Sequence, residues 1–77
     1  MDTTELATTY LIHAWESLES NPLFSLACTD RVIANYAEVE RMGNLKELDS
    51  IKLFYEEAII LRDSIQTPKI SLELLLA

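Results

Sequence analysis

The stretch Arg41-Met42-Gly43-Asn44-Leu45-Lys46-Glu47-Leu48 decides how this chain folds. Gly43 is the only glycine in 77 residues, and it follows a long helical pattern. That is where a left-handed residue stops a helix. Asn44 comes next, with Glu47 three residues on, a pairing that caps the start of another helix. One helix ends and the next begins with almost no linker. A turn that short makes the two helices antiparallel neighbours.

Backward from Gly43, the pattern predicts a helix over 22–42. Phe24, Cys28, Val32, Val39 and Met42 follow its inner face, and Ile33 and Tyr36 widen it. Ser20-Asn21-Pro22 marks its start: Asn21 caps, and Pro22 suits a first turn that needs no backbone donor. Forward from Asn44, a helix is expected over 45–66. Leu48, Ile51, Tyr55, Ala58, Arg62 and Ile65 recur at spacings of three and four, a heptad seam apart from Arg62. Phe54, Ile59 and Leu61 broaden the seam until it must touch two neighbours. The second neighbour is an N-terminal helix over about 3–19. Asp2 and Glu5 form its capping pair, and Leu6, Tyr10, Leu11, Ala14 and Leu18 its apolar face.

The expected fold class is therefore all-α. It is a three-helix up-down bundle, or a helical hairpin plus an N-terminal helix, in a single domain over 1–77. Thr67-Pro68 ends the third helix. The tail, 67–77, reads as a short fourth helix or a segment that folds on binding. Its alternation of Ile70, Leu72 and Leu74 with Ser71 and Glu73 also suits a strand, but no sheet is available to receive one.

Composition narrows the function classes. A chain below about 80 residues usually adds a disulfide, a metal or a partner to its own core. Cys28 is the only cysteine and His13 the only histidine, so neither a disulfide within the chain nor a Cys/His zinc site can be assembled. Association with another chain remains, or unusually good helix packing. A lone thiol suits a reducing compartment, and Cys28 reads as a small buried side chain. The N-terminal stretch carries Asp2 and Glu5, unlike a signal peptide. The longest apolar runs, Ala58 to Leu61 and Leu74 to Ala77, are far too short to cross a bilayer. A cytoplasmic location is expected. A net charge of −7 with six scattered Lys and Arg argues against nucleic-acid binding.

No motif carries chemistry. His13 and Glu16 stand one helical turn apart, yet acid–base catalysis needs a pocket and a positioning group as well. Gly43 stands alone, so there is no glycine-rich phosphate loop. No enzyme activity, cofactor or metal is expected.

The candidate site residues are instead partner-binding ones. Leu53 and Ile60 lie seven apart, opposite the heptad seam, among Asp49, Glu56, Glu57 and Ser64. Isolated exposed aliphatics are ordinary, but two aligned over two turns suggest an interface. Five large aliphatics crowd the tail: Ile70, Leu72, Leu74, Leu75 and Leu76. They either fold back over the bundle, dock into a partner's groove, or act as a terminal signal read by proteases. Trp15, at the edge of the first helix's apolar face, is a residue type enriched at binding hot spots, and it equally suits partial burial against the tail.

Some of these features are shared with a known family. With Gly43 at the turn and Glu57-Ala58-Ile59-Ile60 late in the second arm, the chain resembles the small helical co-chaperones of bacterial type III secretion systems. Leu11-Ile12-His13-Ala14 followed by Glu16 adds to the likeness, which covers about 50 residues. The Asn21-Pro22 break and the apolar tail depart from that pattern. The resemblance implies a helical hairpin that pairs with a helical-repeat chaperone to hold the needle subunit.

Three function readings follow: a small acidic interaction module (adaptor, co-chaperone or inhibitor), a homo-oligomer built from a second copy of the chain, and an acidic mimic of nucleic acid. The mimic needs its carboxylates gathered on one surface, whereas the thirteen here are spread along the chain and over all three helices.

Overall fold

In the computed structural model, residues 2–66 are described. They form three helices: α1 (Thr3–Ser17), α2 (Pro22–Met42) and α3 (Leu45–Gln66). The predicted fourth helix and the tail aliphatics Ile70, Leu72, Leu74, Leu75 and Leu76 lie outside the described residues.

Each helix begins on a side-chain cap. The Glu5 backbone N–H donates to Asp2 Oδ1 at 2.7 Å, and that of Phe24 to Asn21 Oδ1 at 3.2 Å. The Glu47 N–H donates to Asn44 Oδ1 at 3.1 Å, while Asn44 Nδ2 returns a bond to Glu47 Oε2 at 3.0 Å. Each cap satisfies a backbone donor that the first helical turn leaves open. Gly43 sits at φ 76 and ψ 17, the left-handed conformation that lets the hairpin close, and its N–H bonds to the Glu40 carbonyl at 3.1 Å.

Helix α1 stops two residues short of the expected boundary. Ser17 Oγ donates to the His13 carbonyl at 2.6 Å, and the Leu18 N–H reaches the Trp15 carbonyl at 3.4 Å. The Leu18 bond spans three residues in place of the regular four, and the Asn21 N–H closes the turn on the Ser17 carbonyl at 2.8 Å.

The direction of the helices is read from their cross-links. Ser25 Oγ donates to the Ala14 carbonyl at 2.7 Å, and Asn35 Nδ2 to the Thr3 carbonyl at 3.4 Å. Positions rise along α2 as they fall along α1, so the two are antiparallel. The Gly43 turn makes α2 and α3 antiparallel in the same way. All three helices pack on one another, α2 most extensively and α1 with α3 least.

The core has two parts. Ala7, Leu11, Val32, Val39, Ile51 and Ala58 form one, with Tyr10, Ile33, Tyr36, Leu48 and Phe54 against it. Ala14, Cys28 and Leu61 form the other, flanked by Tyr10, Leu18 and Ile65. Many of these side chains are small. Ala7, Ala14, Ala58, Ser25 and Thr29 are all fully buried. Small residues at the crossings let helix axes approach closely, so packing comes from backbone proximity as much as from large side chains. The Tyr36 and Tyr55 rings stack at 3.9 Å between α2 and α3, and the Arg31 guanidinium lies 5.8 Å from the centre of the Tyr10 ring between α2 and α1.

Two residues expected on the inner face of α2 are not there. Phe24 is half-exposed and Met42 exposed. The face runs through Ser25, Cys28, Thr29, Val32 and Val39, so it keeps three of the expected residues and is rotated from the apolar pattern by about half a position. Phe24 thus falls at its edge. Met42 lies at the hairpin tip, past the point where the start of α1 meets Asn35.

Candidate protein-binding surface

Helix α3 positions the strongest candidate. Its inner side is fixed by Ile51, Ala58 and Leu61, all buried against α1 and α2. At about 100° per residue, the side opposite Ile51 and Ala58 is centred on Leu53 and Ile60. Leu53 is 76% exposed and Ile60 69%. Around them stand Asp49, Glu56, Glu57 and Ser64, all exposed. The pair thus makes a short aliphatic stripe, about 10 Å long at the helical rise, set in an acidic face.

Trp15 is not part of that surface. It lies on α1, which packs on the inner side of α3, and it is 49% exposed. Ile12, one turn before it, is equally exposed. The helical spacing of that pair is visible in the sequence, although nothing in the apolar pattern distinguishes Ile12. Other exposed apolar side chains escape the pattern too: Leu23 at the start of α2, and Leu45 beside Met42 at the hairpin tip. No periodicity marks residues at helix ends, where burial depends on how far the neighbouring helix reaches.

Other features of the described residues lie on α1 and α2. An open depression between α1 and α2 is lined by Leu6, Arg31, Ala34, Asn35 and Glu38. Neither His13 nor Glu16 lines it, and both are exposed on α1. Among the described residues, no three His, Cys, Asp or Glu side chains are gathered to hold a metal ion. Burial pushes the Cys28 thiol above its ordinary pKa, which disfavours the reactive thiolate. On the outside of α2, the Arg41 guanidinium pairs with Glu38, its Nε donating at 3.2 Å, and this holds the Glu38 carboxyl below the usual glutamate range. No described helix is long and apolar enough to cross a membrane.

Comparison with known proteins finds no matching family model, no matching curated protein and no matching solved structure.

Proposed function

We propose that this chain is a small, non-catalytic protein-binding module whose outer α3 face, centred on Leu53 and Ile60, contacts the partner. One observation carries the reading: two aliphatics seven residues apart are about three-quarters exposed on a face that is otherwise charged. Exposing them costs a small acidic domain solubility and contributes nothing to its core, so a binding role accounts for them. In this reading the tail aliphatics are a second contact, and the protein works in the cytoplasm, where its single thiol stays reduced. The α2–α3 hairpin turning on Gly43 favours a narrower version, a co-chaperone that pairs with a helical-repeat chaperone.

Site-specific photo-cross-linking in cells tests the surface. A photoactivatable side chain at Leu53 or Ile60 is expected to give the same discrete adduct. The same group at Ala37, on α2, is expected to give none. Adducts that do not differ among the three positions would remove the α3 face from the proposal.

A further inference from the structure

The outer face of α3 has a charge pattern that selects among its possible occupants. Lys46, Leu53 and Ile60 follow one another at intervals of seven, so they form a single line along the helix. Asp49 stands one turn before Leu53, and Glu56 and Glu57 fall between Leu53 and Ile60 on either side of the line. All of these side chains are exposed, and among the described residues Asp49, Glu56 and Glu57 form no ion pair. The aliphatic stripe is therefore bordered by carboxylates that make no ion pair, with the exposed Lys52 one turn from Asp49 and Glu56.

A second copy fits this face poorly in either direction. Parallel pairing through the stripe sets Lys46 against Lys46 and each glutamate against itself. Antiparallel pairing sets Leu53 against Ile60 and brings Glu56 and Glu57 of both copies together at the centre. Like charges facing across a helix pair disfavour association. A helix with the same aliphatic spacing but Lys or Arg on its borders meets no such repulsion, and its cations pair with Asp49, Glu56 and Glu57.

We infer that the Leu53–Ile60 face binds a basic amphipathic helix of a different protein and not a second copy of this chain. This rests on the binding-module reading and names the kind of partner. The helix carries aliphatics seven residues apart, cations flanking them, and an acidic group at the end that meets Lys46.

The chain itself supplies the probe. The variant Asp49→Lys/Glu56→Lys/Glu57→Lys leaves the core residues and the stripe unchanged and reverses the borders. Isotope-labelled wild-type chain is titrated with this unlabelled variant and, separately, with unlabelled wild type, while backbone amide shifts are followed. The expected result is a saturable shift of the amides around 46–60 with the charge-reversed chain and none with wild type. The apparent Kd is expected to rise about tenfold between low and moderate salt, as screening of exposed charges requires. Leu53→Ser/Ile60→Ser in the labelled chain is expected to abolish the shift. Equal shifts with added wild type would make a second copy the occupant and overturn the inference. No shift with the reversed chain, or a shift that survives Leu53→Ser/Ile60→Ser, would overturn it as well. Should the reversed chain not fold, a helical peptide with leucines seven apart and lysine borders replaces it, against the same peptide with glutamate borders. A photo-adduct from Leu53 to a partner with an acidic or uncharged surface would retain the binding-module reading and reject the basic helix.

Discussion

Helix α3 carries two apolar pairs at the same interval, and their fates are opposite. Ile51 and Ala58 are buried to 1% and 0% exposure, whereas Leu53 and Ile60 remain 76% and 69% exposed. Spacing alone does not separate them, because seven residues align any pair on one side of a helix. Their borders do. The inner pair is flanked by Leu48, Phe54, Tyr55, Leu61 and Ile65, and the outer pair by Asp49, Glu56 and Glu57. Burying the outer side would strand several carboxylates away from water, at a cost that two aliphatics cannot offset. The core side of a helix is thus chosen by its whole stripe, and it is the alignment of two aliphatics on the other side, not the exposure of either, that the interface reading rests on.

The two pairs should part most visibly when one residue of each is truncated. Ile51→Ala removes a fully buried side chain and is expected to cost about 3 kcal/mol. A domain of this size holds roughly 3–5 kcal/mol in its core, so the variant should keep only about 0–2 kcal/mol and unfold at much lower urea. Leu53→Ala, on the outer side, is expected to change stability by less than about 0.5 kcal/mol. Urea unfolding followed by circular dichroism measures both. Similar losses at the two positions would mean that the outer stripe is covered by the chain itself.

Polar groups show the same contrast between inside and outside. Ser25 and Ser50 each donate a hydroxyl to a backbone carbonyl, Ser25 to Ala14 at 2.7 Å and Ser50 to Lys46 at 3.1 Å. Ser25 is buried and its bond ties α2 to α1, while Ser50 is exposed and bonds within its own helix. Ser25→Ala is expected to lower stability by about 1 kcal/mol, a typical net value for a buried hydrogen bond. Ser50→Ala should be neutral or slightly stabilising, because it replaces a helix-competing hydroxyl with the best helix former. Equal urea midpoints for the two variants would show that the Ser25 bond does not hold the helices together.

These contrasts also separate what the amino-acid sequence declares locally from what only packing decides. The caps at Asp2, Asn21 and Asn44 and the stop at Gly43 are legible in the sequence because each acts within three residues of itself. Helices α2 and α3 follow from them with their boundaries intact. The exposure of Leu53 and Ile60 is legible too, since phase along one helix is simple counting. The rotation of α2 is not. Its buried line includes Ser25 and Thr29, polar residues that an apolar pattern passes over. Ser25 is tolerated inside only because the Ala14 carbonyl of α1 accepts its hydroxyl, and Thr29 because it bonds back to the Leu26 carbonyl at 2.7 Å. Where α1 sits relative to α2 is a tertiary fact, and without it the apolar pattern misplaces Phe24 and Met42. The exposed tip at Met42 and Leu45 is hidden for the same reason: α1 is the shortest of the three helices and begins beside Asn35.

The smallest effect is expected where the outer surface is charged and already paired. Glu38 and Arg41 lie one turn apart on α2, both exposed, and the Arg41 hydrogen bond and charge hold the Glu38 carboxyl below the ordinary 4.5. A carboxyl depressed in the folded state stabilises it above the ordinary glutamate range, and that contribution is lost as pH falls through the depressed value. An NMR titration of the glutamate side chains is expected to place the Glu38 midpoint below 4.5. Arg41→Ala should bring it back up towards that value. The urea midpoint at neutral pH should scarcely move, because exposed ion pairs are screened by solvent and contribute little. A clear loss of stability in Arg41→Ala would show that the outer side of α2 takes part in the fold. The division between a packed inside and an unpacked outside, seen in α3, would then not extend to its neighbour.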